Sequence, residues 1–253
     1  MRYMLVPLVF AVSFSSFAFA ETQQEQAAQF ISSWVAQVQG TVPGPPQNPE
    51  LPPIKCGTPA FLAAANFKHF HPDIILDVKI ERPDLPDTFG TEHFLIHYTT
   101  TGNSAVFEPN TDSLSGIPRH ITRVADVLEH VWDVEIDSMG YQTPLHDFGH
   151  GGDDRYDVYI RNLVVGYYGQ TTADTIVGFR ATSYIEIEND FQEISNVYYH
   201  LYPIEAVKVT MAHEFFHAIQ FSYDASEIDR PNPDNHALDS YWWYEASSTW
   251  MET

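Results

Sequence analysis

His213-Glu214-Phe215-Phe216-His217 is the stretch on which the reading of this 253-residue chain turns. A helix advances about 100° per residue, so residues four apart return to within about 40° of one another and both imidazoles leave one face. Rings so placed can grip a single zinc ion. Glu214 stands about 100° around from His213, close enough to reach a water beside the ion without entering its coordination shell. With only 12 His in 253 residues, the spacing rarely arises by chance. The plainer alternative is two histidines on a partly exposed helix face with no metal.

Catalytic zinc needs three protein ligands and an open fourth position. A three-His arrangement would require Gly and His where Gln220 and Tyr223 stand, so it is excluded. The third ligand must come from further on. Trp242-Trp243-Tyr244-Glu245-Ala246-Ser247-Ser248-Thr249-Trp250 offers one carboxylate, Glu245, among small and aromatic residues. Asp239 and Ser240 precede it as N-caps of a second helix. The intervening residues 224–235, with Pro231 and Pro233 among Asp and Asn, read as a loop.

These two segments together resemble the gluzincin metallopeptidases, and within them the large secreted bacterial enzymes of the immune-inhibitor-A and hyicolysin types. The resemblance is strongest over residues 90–253. It implies a zincin-like fold, one zinc held by His213, His217 and Glu245, Glu214 as catalytic base, and peptide or protein substrates. Thr249 departs from the pattern, because one branch carries Asp four positions after the ligand Glu. A threonine there would orient a ligand His more weakly than a carboxylate.

Composition bounds the remaining possibilities. Twelve Lys and Arg against 34 Asp and Glu give a formal charge of −22, which argues against nucleic acid or an anionic membrane as partner. Arg2, the apolar residues 5–19 and Ala18-Phe19-Ala20 form a signal peptide ending at residue 20, so we expect export. The apolar run is too short to span a bilayer, and stable membrane insertion is not expected. Residues 21–88 form a pro-segment or a simple spacer, with a helical pattern through Phe30, Trp34 and Val38 and then a Pro-rich linker. Residues 89–253 form the metallopeptidase domain. The chain stops eight residues after Glu245, which leaves open whether it is a fragment of a longer protein that completes the cleft wall.

The fold class expected is α+β: a small twisted sheet, the HExxH helix beside it, then the ligand helix. Strands are expected at 74–80, 92–98, 156–160 and 184–187, and helices at 58–70, 118–138 and from Pro203 to about Phe221. Ile204, Val207 and Met211 should pack the HExxH helix into the core. The aromatic run Tyr198-Tyr199-His200-Leu201-Tyr202 reads as packing around it rather than as a substrate platform.

Three groups have uncertain duty. Asp147, Asp153, Asp154 and Asp157, near His150 and among glycines, are either calcium ligands or a solvated acidic turn. Tyr223, His236 and Tyr244 are candidates to stabilise the oxyanion of amide hydrolysis. Cys56, the single cysteine, lies in Pro53-Ile54-Lys55-Cys56-Gly57-Thr58-Pro59, which resembles the Pro-Arg-Cys-Gly segment of matrix-metalloproteinase propeptides. That resemblance implies a latency thiol over the zinc, with Lys55 favouring its deprotonation. A buried structural thiol and a disulfide to a cysteine beyond Thr253 are the other two readings. A non-catalytic secreted zinc-binding or adhesion module is the rival to a peptidase.

Overall fold

The computed structural model describes residues 22–43, 55–110, 115–163, 166–226 and 241–253. The segment expected as a signal peptide, most of the Pro-rich stretch, Asp239, Ser240 and His236 lie outside the described residues. Among those described, five strands make one open sheet in the order β1-β2-β3-β5-β4, accompanied by six α-helices, so the fold is mixed α/β.

The sheet is parallel at its centre and antiparallel at its edges. β2 (Phe94–Tyr98), β3 (Tyr156–Arg161) and β5 (Arg180–Glu188) run parallel, while β1 (Asp87–Gly90) and β4 (Gly169–Val177) pair antiparallel at the two margins. Central strands covered on both faces should be almost continuously apolar. Phe94, Ile96, Val158, Ile160, Ile185 and Ile187 fulfil this and are fully buried. The alternate positions bury polar groups too, His97, Asp157, Glu186 and Glu188, and the margin strand β4 is polar along its buried half. Its buried half reads Gly169-Gln170-Thr171-Thr172-Ala173, too polar to announce a core strand: the Thr171 hydroxyl bonds to a helix, and Gln170 and Thr172 reach Glu186 on β5.

That helix is α5 (Pro203–Asp224), which opens on proline as a first helical turn permits and contains the HExxH sequence. Val207, Met211, Phe215, Ala218 and Ile219 pack it into the main core, and every residue from His213 to Ile219 is buried. Across from it lies α3 (Arg119–Trp132), whose Ile121, Val124, Ala125, Leu128 and Val131 form one apolar stripe. We expected this helix to continue to residue 138. The α-helix stops at Trp132 and a π-helical turn, Asp133–Ser138, follows, turning Glu135 inward. α5 meets the sheet closely at Gly169, where an added Cβ would come within 2.6 Å of Thr210 Cγ2 and 3.0 Å of Glu214 Cγ.

The N-terminal elements pack on the β4 side. α1 (Gln23–Val38) begins at a reciprocal cap: Thr22 Oγ1 accepts from Glu25 N at 3.2 Å, and Thr22 N donates to Glu25 Oε2 at 2.7 Å. Its packed stripe is Ala28, Ile31, Val35 and Val38, whereas Phe30, expected on that stripe, points outward. α2 (Thr58–Phe70) spans the residues expected and buries Phe61, Leu62, Ala64 and Phe67. Asn66 Nδ2 also donates to Ala225 O at 2.6 Å at the end of α5, so α2 shares the core of the residues that follow it.

Residues 74–80, expected as a strand, join no ladder. They keep the two-residue alternation, with Leu76, Val78 and Ile80 half-buried, but lie against the α1/α2 layer. Gln39 Nε2 donates to Lys79 O at 2.8 Å, and Ser32 Oγ accepts from Asp77 N at 3.1 Å. Two short helices remain, α4 (Val197–Leu201) and α6 (Tyr241–Met251), the latter lying on α5. No helix among the described residues is long and apolar enough to cross a membrane.

Candidate metal centre

Three elements converge on one point. α5 brings His213 and His217, α6 brings Glu245, and the residues just before α2 bring Cys56. One donor atom from each of the four lies within 4.8 Å of all the others. The two imidazole Nε2 atoms stand 3.2 Å apart. Glu245 Oε2 is 3.5 Å from His213 Nε2, and its Oε1 is 3.3 Å from His217 Nε2. Cys56 Sγ is 3.6 Å from His217 Nε2. Around a tetrahedral zinc with ordinary bond lengths, edges between ligands measure roughly 3.3 Å, and roughly 3.6 Å where one ligand is sulfur. The donor set therefore suits such an ion in both chemistry and spacing. Glu245 Oε1 is buried with no hydrogen-bond partner, an acceptor that a cation would satisfy.

The other ring nitrogens are held from behind. His213 Nδ1 lies 3.0 Å from Glu252 Oε1, and His217 Nδ1 lies 2.7 Å from Gln220 Oε1. Gln220 Nε2 donates to Tyr244 O at 3.2 Å and to Ser247 Oγ at 2.9 Å, which leaves its oxygen to accept from His217. When each ring carries its only proton on Nδ1, both Nε2 lone pairs face the shared point. Two facing lone pairs repel unless something positive sits between them. Ser248 Oγ, fully buried, is also 3.2 Å from His217 Nδ1.

The local charges tell the same story. Burial pulls the His213 imidazole down, but hydrogen bonds to Glu245 and Glu252, with Glu214 nearby, push it up to about 10. Burial raises the Glu245 carboxyl, and the two histidines override this to hold it down at about 2. The centre is thus built to receive positive charge. Cys56 behaves oppositely: burial first, then Glu214 and Glu245, push its thiol well above the usual range. Lys55 does not counter this, since its ammonium sits 5.3 Å over the Tyr168 ring.

Glu214 is fixed by hydroxyls that sequence inspection passed over. Thr58 Oγ1 donates to Glu214 Oε2 at 2.8 Å and itself accepts from Thr171 N at 2.7 Å. Thr171 Oγ1 approaches the same Oε2 at 2.9 Å. A cleft of about 530 Å³ opens beside these groups, lined by Trp34, Tyr167, Tyr168, His213, Glu214 and Glu245 among others.

Other sequence candidates fare unevenly. Thr249 lines the cleft, but the groups bonded to the histidines are Glu252, Gln220 and Ser248. Tyr223 hydroxyl accepts from Gln142 N at 3.1 Å, and the buried Tyr244 hydroxyl donates to Asp224 O; neither residue lines the cleft. The four aspartates do not assemble as one group. Asp147 and Asp157 close on the Arg82 guanidinium together with Asp174, at 2.7 Å for Asp147 and 2.9 Å for Asp174. Asp153 pairs with Arg155 at 2.6 Å, and Asp154 is exposed. Arg82 thus stands where a cation was sought. Among the described residues the second group of metal-capable side chains is Glu188, Asp190 and Glu193. The aromatic run is mostly outward-facing: Val197, Tyr198, Leu201 and Tyr202 are exposed, while Tyr199 meets the cleft residue Tyr168 edge-on at 5.9 Å.

Compared with protein families, curated proteins and solved structures, the chain finds no match in any of the three.

Proposed function

We propose that the chain is an exported zinc-dependent peptide hydrolase with a zincin-like arrangement of helix, sheet edge and second helix. The observation that carries this reading is the convergence of His213, His217 and Glu245 at tetrahedral spacing with Glu214 anchored beside them. Held by those three side chains, zinc supplies a Lewis acid for a carbonyl oxygen and lowers the pKa of water to about 7. Glu214 accepts a proton at its carboxylate and returns it to the departing amine. Thr58 and Thr171 fix one carboxylate oxygen, so the base is oriented before substrate arrives. Glu252 and Gln220 hold the imidazoles in the tautomer that binds metal. Trp34, Tyr167 and Tyr168 give the cleft an apolar wall suited to peptide side chains. Export rests on the apolar N-terminal segment followed by Ala18-Phe19-Ala20.

The test is Glu214→Gln, which keeps the shape of the side chain and removes its basicity. Made in a chain whose Cys56 is also replaced by Ala, so that no sulfur competes for the site, the change should leave zinc content as it was and lower hydrolysis of an unfolded protein substrate by about 10²–10⁴-fold. Undiminished hydrolysis by this variant would overturn the mechanism.

One observation favours a second reading. Cys56 Sγ stands at the fourth corner, and zinc sites closed by four protein ligands are structural rather than catalytic. A non-catalytic zinc-binding module would show full metal content and no hydrolysis even when the sulfur is removed.

A further inference from the structure

We propose that Cys56 is the fourth protein ligand of the centre and that the segment carrying it is a built-in plug, closing the metal position and the neighbouring sheet edge together. The inference rests on the zinc reading above and concerns how that site is regulated.

The thiol does not reach the site by accident of burial. Its carrier, residues 55–57, adds alongside the start of β4 with a parallel bridge between Cys56 and Gly169. Gly57 N donates to Gly169 O at 3.2 Å, and Tyr168 N donates to Lys55 O at 2.9 Å. On the other side α2 begins at once, with the Thr58 hydroxyl held by Thr171 N and Glu214 Oε2. Gly57 itself sits where an added Cβ would lie 2.7 Å from both Gln170 Oε1 and Val38 Cγ1. Backbone pairing before the thiol and a helix start after it leave Sγ one place to go, 3.6 Å from His217 Nε2. A tetrahedral zinc requires roughly that nitrogen-to-sulfur separation.

Two consequences follow for the cleft. With sulfur at the fourth corner, neither water nor a substrate carbonyl has a coordination position. With residues 55–57 on β4, the main-chain groups of Tyr168 and Gly169 that an extended peptide would pair with are already used. Opening requires only that residues 55–57 leave this edge. α2 stays, because Phe61, Leu62 and Phe67 are in the core, and the Thr58 anchor on Glu214 stays with it. The device is therefore local: a three-residue segment holds a resting site whose base remains correctly posed.

The experiment uses the full chain, stripped of metal and reloaded with Co²⁺ or Zn²⁺, beside the Cys56→Ala variant. The parent should show a near-ultraviolet thiolate-to-cobalt charge-transfer band, a sulfur scatterer about 2.3 Å from zinc in X-ray absorption, and loss of thiol alkylation on metal loading. Cys56→Ala should keep the metal through His213, His217 and Glu245, lose the band and the scatterer, and hydrolyse peptide faster than the parent. A loaded parent without sulfur ligation overturns the ligand assignment and leaves the peptidase reading standing; this arm does not depend on how the variant folds. Sulfur ligation in the parent with equal hydrolysis by both proteins overturns the plug. Sulfur ligation with both proteins loaded and inert supports the ligand assignment and overturns the peptidase reading. Failure of the parent to bind either metal overturns both.

Discussion

Thr171 is fully buried, and its hydroxyl lies 2.7 Å from the Glu214 main-chain oxygen and 2.9 Å from its carboxylate Oε2, tying β4 to the base. Thr171→Val preserves the shape and removes this donor. A hydrogen bond to a charged group contributes about 1.5–3 kcal/mol, so in the Cys56→Ala background we expect kcat to fall by about 10–100-fold with zinc content and KM unchanged. A variant with unaltered kcat would show that Thr58 alone suffices to hold the carboxylate. The histidine supports work through the same kind of contact. Glu252 and Gln220 each hold the Nδ1 of one imidazole, which decides which ring nitrogens would face an ion.

At the scale of elements, α3 contains a group that makes the fold sensitive to acid. His120 is buried on that helix with no hydrogen-bond partner for Nε2, and burial, with Arg123 adding to it, pulls its pKa down to about 4. The unfolded chain would titrate near an ordinary imidazole, about 6.5, and so binds more protons than the folded one between those values. Its contribution to stability is complete above pH about 6.5 and is lost as the pH falls through about 4, amounting to about 3 kcal/mol. His120→Phe should remove this acid-side loss, which urea unfolding at pH 7 and pH 4 will measure. Equal acid sensitivity in parent and variant would contradict the assignment. The same helix ends in a π-helical turn that buries Glu135, whose carboxyl burial raises to about 9 against the pull of His213. Two buried titratable groups of opposite preference thus sit on one continuous segment behind the metal centre.

At the scale of the whole molecule, what could be read in the sequence was what repeats along one helix. The His213 and His217 spacing, the apolar stripe of α3 and the span of α2 are local periodicities, and the folded chain keeps them. β1 and β4 went unseen for different reasons. β1 is four residues at an edge, and β4 spends its buried side chains on polar contacts, Thr171 with α5 and Gln170 and Thr172 with Glu186 of β5, leaving no apolar pattern. Residues 74–80 have a strand's alternation but meet helices, a choice that only tertiary packing makes. Among site residues, Glu245 was legible as the one carboxylate of an aromatic helix. Glu252, Ser248, Thr58 and Thr171 were not, because each acts through a partner distant in sequence, and Gln220, only three residues from His217, is aimed by contacts with Tyr244 and Ser247 on α6. The acidic turn at 147–157 misled for the same reason, since Arg82 lies far upstream of the aspartates it pairs with.

The central claim is that His213, His217 and Glu245 together hold one zinc ion, and metal analysis with affinity measurement tests it most directly. Parent and Glu214→Gln should each bind one zinc per chain after dialysis, whereas His217→Ala and Glu245→Ala should lose more than about 100-fold in affinity, beyond what loss of a supporting hydrogen bond produces. Full zinc occupancy with undiminished affinity in Glu245→Ala, or no zinc in the folded parent, would contradict the account.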